Sequence, residues 1–154
     1  MTRIALDTNI LAYLAGVIRS DADAAKVDRI RDLIARLASA AELVAPVQAL
    51  GELFVVMRRG GATAEEARAV LLEFAEAFAT PPSEAATALA AADLAVDHKL
   101  QYWDALILTT AADARCALLL SEDMQDGFVT RGLTIIDPLT EPMHVKLTNM
   151  LPGS

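Results

Sequence analysis

Cysteine is almost absent: Cys116 is the only one in 154 residues. A lone thiol excludes an intrachain disulfide and suits a reducing cytoplasm. Histidine is as scarce, with only His98 and His144, so a Cys/His zinc centre is not expected. Neither histidine has an evident nucleophile or acid partner. Long apolar runs are missing too. The longest stretch free of Asp, Glu, Lys and Arg covers residues 8–18, too short to span a bilayer. No signal peptide is visible, because Asp7 interrupts the only early apolar run. Basic charge is short, with 13 Lys and Arg against 21 Asp and Glu and a net charge of −8. That balance argues against broad, charge-driven binding of nucleic acid. It leaves room for a nucleic-acid enzyme whose site carboxylates are offset locally by divalent ions. Linker-like low-complexity segments and internal repeats are also lacking.

What is present is an apolar chain, 55% hydrophobic by count and long enough for one sizeable core. High apolar content without a membrane segment hints at a partner surface. Residues 4–6 read as a short buried strand. Val27, Ile30, Ile34 and Leu37 recur at helical spacing. A second strand is expected at 43–45, ended by Pro46, which suits the first turn of a helix. That helix carries Val47, Leu50, Phe54 and Met57 and stops at Gly60-Gly61. Thr63 and Glu66 form a capping-box pattern opening the next helix. Pro81-Pro82-Ser83 breaks the chain before an alanine-rich helix ending near Asp97.

Residues 102–114 predict another helix, with Trp103, Leu106, Ile107 and Thr110 on one face. Residues 117–120 and 133–136 are strand candidates. Strands alternating with helices predict an α/β fold, a parallel sheet covered on both faces. The expected domain covers residues 1–137, and residues 138–154 read as a loose tail.

Four acids sit beside or inside apolar runs, where carboxylates are seldom placed unless paired or metal-bound. They are Asp7 after Ile4-Ala5-Leu6, Glu52 before Leu53-Phe54, Asp104 before Ala105-Leu106-Ile107, and Asp123 after Leu118-Leu119-Leu120. Asp7 and Asp123 follow strand candidates, while Glu52 and Asp104 fall in the first two turns of helices. In a parallel α/β sheet those positions meet at one edge, outside the carboxyl ends of the strands. Oxygen-only donors suit Mg²⁺ or Mn²⁺, and metal-activated water hydrolysing a phosphodiester is the chemistry these residues support. Each acid also has a plainer reading. Asp7 is a good helix N-cap, Glu52 fits a solvated helix face, and Asp104 favours a helix dipole. Asp123 competes with Glu122 and Asp126, and Asp126 before Gly127 suits a turn. Trp103 and Phe54 read as core aromatics rather than as platforms for stacking RNA bases, and Cys116 as a small core residue.

The segments Ala5-Leu6-Asp7-Thr8-Asn9-Ile10-Leu11, the helix around Glu52, Tyr102-Trp103-Asp104-Ala105-Leu106-Ile107 and Leu120-Ser121-Glu122-Asp123-Met124-Gln125-Asp126-Gly127 together resemble the PIN-domain ribonucleases. Within them, the chain is similar to the toxins of VapBC-type toxin–antitoxin pairs. The resemblance implies a three-layer α/β/α sandwich around a parallel sheet of about five short strands. It implies Mg²⁺- or Mn²⁺-dependent RNA cleavage by Asp7, Glu52, Asp104 and Asp123, supported by Asn9, Ser121 and Asp126. It further implies a homodimer restrained by a small antitoxin. Arg58 and Arg59, at the end of the Glu52 helix, are the candidates for RNA contact. Two rivals remain: a PIN-like protein without a toxin role, whether housekeeping nuclease or partner-binding scaffold, and a phosphatase with Asp7 as nucleophile. The second is disfavoured by Asn9, where such enzymes carry a second Asp.

Overall fold

The computed structural model describes residues 1–153. The chain alternates short strands with helices: β1 (Arg3–Leu6), α1 (Thr8–Leu14), α2 (Asp23–Leu37), β2 (Glu42–Val44), α3 (Val47–Arg59), α4 (Ala64–Ala77), α5 (Ala85–His98), α6 (Tyr102–Asp113), β3 (Leu118–Leu120), β4 (Val129–Thr130), β5 (Leu133–Ile136) and α7 (Val145–Thr148). The helix signals read from sequence act as physics dictates. Thr63 and Glu66 close a reciprocal capping box on α4, and Gly60 ends α3. On α2, Val27, Ile30, Ile34 and Leu37 are all buried, joined by Leu33.

The strands form one sheet in the order β2-β1-β3-β5-β4. The first four are mutually parallel, with Ile4 opposite Leu43 and Leu118, and Leu119 opposite Ile135. The fully buried Ile4, Leu6, Leu119, Leu120 and Ile136 explain the unbroken apolar runs. The sheet is not wholly parallel, as the sequence had suggested. The edge strand β4 runs antiparallel to β5. Its two residues are joined to β5 by a tight turn at Arg131 and Gly132, both at positive φ, and so short a strand leaves no periodic signal.

From β1 the chain moves to β2 on one side, then crosses back to β3 on the other. Right-handed connections in opposite directions place their helices on opposite faces, so β1 and β3 flank the point where the winding reverses. Asp7 N–H continues the ladder to Leu120 O at 3.0 Å, and Ser121 N–H reaches Ile136 O at 3.0 Å. The residues just beyond β1 and β3 are therefore held as firmly as the strands.

The segment after Pro138 departs from the expected loose tail. It makes the turn of helix α7 and inserts Leu147 and Leu151 into the main core, where both are buried. Lys146 Nζ also donates to Thr134 Oγ1 on β5 at 2.7 Å. Two leucines four residues apart are too sparse a pattern to read as a packed helix.

Candidate active site

A pocket of about 530 Å³ opens at the carboxyl edge of the sheet, and Asp7, Glu52, Asp104 and Asp123 all line it. The fold brings them from four separate elements: the β1–α1 junction, the middle of α3, the first turn of α6 and the loop after β3. Their surroundings differ. Asp7 is buried at 2% exposure, Glu52 and Asp104 are partly covered, and Asp123 is exposed.

Asp7 satisfies both readings open to it. Its Oδ1 accepts the Thr8 N–H at 2.7 Å, capping α1, yet the same carboxylate faces the pocket. Its Oδ2 accepts from the Ser121 hydroxyl at 2.7 Å and from Asn9 Nδ2 at 3.2 Å. Burial nevertheless pushes its pKa up from 3.8 to about 6. The Ser121 and Thr8 hydrogen bonds oppose that rise, and the charges of Asp104 and Glu52 add to it. Asp104 is raised as well, first by burial and then by Glu52 and Asp123. Mutual repulsion shows that these carboxylates share one electrostatic space.

Small polar side chains tie the acids together. Asn9 Nδ2 also donates to Asp123 Oδ2 at 3.0 Å, while its Oδ1 accepts the Glu122 N–H at 3.1 Å. Thr8 Oγ1 donates to Glu52 Oε2 at 2.8 Å, joining α1 to α3. Buried Ser121 also accepts from the N–H groups of Asp123 and Met124, at 3.3 and 3.2 Å. Asp104 carboxylate oxygens accept no hydrogen bond among the described residues. Asp7 is thus the fixed member of the set and Asp104 the open one.

Behind Asp123, Glu122 turns away from the pocket. It accepts from Tyr13 Oη at 2.5 Å and pairs with Lys26 Nζ at 2.9 Å. Asp126 also lies off the pocket, where its Oδ1 accepts the Asp137 N–H at 2.9 Å beside Gly127 at φ +86°. That arrangement fits the turn reading of Asp126. Arg59 lines the pocket, but Arg58 does not and instead donates to Ala62 O at 2.9 Å, fastening the end of its own helix. Of the two arginines proposed for RNA contact, Arg59 alone lines the pocket.

Among the lining residues that the sequence reading did not place at the site, Arg19 and Trp103 stand out. Arg19 sits in the loop before α2, outside any periodic pattern. Trp103, expected in the core, is 48% exposed and lines the pocket beside Asp104. The helical face that carries Leu106, Ile107 and Thr110 inward begins one turn later, so Trp103 projects past the core's edge.

Hard oxygen donors in a partly desolvated pocket fit Mg²⁺ or Mn²⁺, which commonly take one or two carboxylates with waters and substrate phosphates. Among the described residues no three His, Cys, Asp or Glu side chains already close around one point, and such ions do not need them to. No helix among these residues is long and apolar enough to cross a membrane.

Comparison with known structures finds the same fold in three toxin–antitoxin proteins. VapBC2 of Rickettsia felis, bound to promoter DNA, is 16% identical over 88% of this chain and 100% of that one, with a TM-score of 0.66. VapC20 of Mycobacterium tuberculosis, a toxin that cleaves the sarcin–ricin loop, is 17% identical over 78% and 91%, with a TM-score of 0.63. A toxin–antitoxin complex from Klebsiella pneumoniae is 21% identical over 85% and 95%, with a TM-score of 0.59. Comparison with curated proteins gives no significant match. The family model described as "PIN domain" matches residues 4–126, from β1 through the acid-bearing loop after β3. With the sheet, the pocket and the family model in agreement over most of its length, the chain belongs to the PIN-domain family.

Proposed function

We propose that this protein is a Mg²⁺- or Mn²⁺-dependent endoribonuclease and acts as the toxin of a toxin–antitoxin pair. One observation carries the reading: four carboxylates from four distant parts of the chain face a single open pocket, with the buried one fixed by three donors. Unpaired acids raise one another's pKa, so without a cationic ligand the arrangement is costly. Asp7, Glu52, Asp104 and Asp123 would hold the ion, which when bound acidifies a water and offsets phosphate charge.

The chain's own residues supply positioning. Ser121 and Asn9 fix the plane of the Asp7 carboxylate, and Thr8 holds Glu52 toward it. Asn9 spans Asp7 and Asp123, setting their separation. Asp104 keeps both oxygens open to water and ligand. Arg59 and Arg19 provide positive charge at a pocket whose floor is negative.

The toxin role is supported by the fold shared with the Rickettsia felis, Mycobacterium tuberculosis and Klebsiella pneumoniae proteins. On this reading the chain acts as a homodimer in the cytoplasm, restrained by a cognate antitoxin. Exposed Leu72, Leu89 and Val96 supply apolar surface for such contacts. The test is cleavage of RNA by purified protein with Mg²⁺ or Mn²⁺, its loss with chelator and in Asp7→Asn, and growth arrest relieved by the neighbouring gene's product. Unchanged cleavage by Asp7→Asn overturns the nuclease reading. Growth without arrest, while cleavage persists in vitro, overturns only the toxin role.

A further inference from the structure

Trp103 stands out as a large apolar side chain left half-exposed at the mouth of a polar pocket, one residue before Asp104. It is held in place from behind. The Tyr102 ring meets it edge-on, with centroids 5.0 Å apart and planes at 75°, and Tyr102 Oη donates to Ala88 O on α5 at 3.2 Å. Across the same pocket α3 presents Gly51, where an added Cβ would meet nothing within 4 Å, so space is open there. The two lining arginines are unspent. Among the described residues neither the Arg19 nor the Arg59 guanidinium makes an ion pair or hydrogen bond, although four carboxylates share their pocket.

An exposed indole beside free guanidiniums matches what single-stranded nucleic acid requires: a π-face for a base and forked donors for phosphate. On a chain of net charge −8, long-range attraction contributes little, so local stacking must carry more of the affinity. We propose that Trp103 is the stacking platform for an unpaired base of the RNA next to the scissile phosphate, with Arg19 and Arg59 holding neighbouring phosphates. The proposal rests on the pocket being an RNA-cleaving site and adds how the strand is seated.

Trp103 is the only tryptophan, so its fluorescence reports this position alone. Titrating the protein with a short unstructured oligoribonucleotide, with Ca²⁺ replacing Mg²⁺ to slow cleavage, should quench the emission to saturation. An oligomer with abasic sugars but the same phosphates should bind roughly tenfold more weakly and quench little. In cleavage assays Trp103→Ala should raise KM about tenfold with kcat largely kept, and Trp103→Phe should restore most of the loss. Arg19→Gln and Arg59→Gln should each lower the salt dependence of binding by about 0.7 in log–log slope.

Binding without quenching, or an unchanged KM in a folded Trp103→Ala protein, overturns the platform. Emission that changes with protein concentration in the absence of RNA also overturns it, marking the indole as a contact between copies. Quenching by RNA that the wild type never cleaves would instead remove the nuclease reading and leave the seat standing.

Discussion

Ser121 donates its hydroxyl proton to Asp7 Oδ2 across 2.7 Å, joining the ends of β1 and β3 inside the protein. Ser121 Oγ itself accepts two backbone N–H groups, those of Asp123 and Met124, at the start of the Asp123 loop. Ser121→Ala therefore removes one donor from a buried carboxylate and strands two N–H groups. The expected loss is about 2 kcal/mol of folding stability, read by chemical denaturation. Asp7 also becomes harder to ionise, because one of the bonds that opposes its raised pKa is gone. A variant as stable as the parent would show that the bond carries no weight.

Asp7 makes metal-free stability depend on pH in an unusual direction. Its folded pKa of about 6 lies above the ordinary 3.8, so the folded state holds the proton more tightly than the unfolded chain. Stability from this group is complete below about pH 4 and falls as pH rises toward 6. Asp7→Asn should thus raise folding stability in chelator at pH 7 but not at pH 4, by up to roughly 3 kcal/mol at the per-unit value of 1.36 kcal/mol, read by chemical denaturation. The same substitution should abolish cleavage. Equal stability changes at the two pH values would refute the assignment.

Glu122 faces away from the acids yet anchors the loop that carries one of them. Burial, then the hydrogen bond and charge of Glu122, lift the Tyr13 phenol to about 12. Glu122→Gln should lower that value, visible as earlier phenolate absorbance in a protein with only two tyrosines. It should also slow cleavage by loosening Asp123, with CD unchanged. A Tyr13 titration that does not move would dissolve the proposed link.

Leu147 is fully buried despite lying beyond the family match. Leu147→Ala should lower stability by about 3 kcal/mol, measured by urea denaturation. A loss below about 0.5 kcal/mol would restore the view of this segment as an appendage.

The acids were legible because a carboxylate inside an apolar run is chemically conspicuous, and the alternation of strands and helices told where they would gather. Asp7 and Asp104 were singled out with the help of the family resemblance, since on pattern alone each also fitted a helix end. Trp103 was misplaced because helical spacing locates a face but not where the core beneath it ends. Arg19 was passed over because a loop has no period. Arg58 and Arg59 looked equivalent in sequence, and only the Ala62 carbonyl at the end of α3 separates them. Strand β4 was too short for any pattern, and Leu147 and Leu151 become meaningful only once the core they enter is formed.

The scattering of the four acids along the chain also has a meaning in time. Asp7 emerges early in synthesis, but Asp123 comes late, and β3, which sets its place, lies between β1 and the still later β5. A growing chain therefore holds no complete acid set. On the proposed reading, a ribonuclease of this topology would gain its full set of acids only after β3 had been made, so its own fold would delay its activity during synthesis.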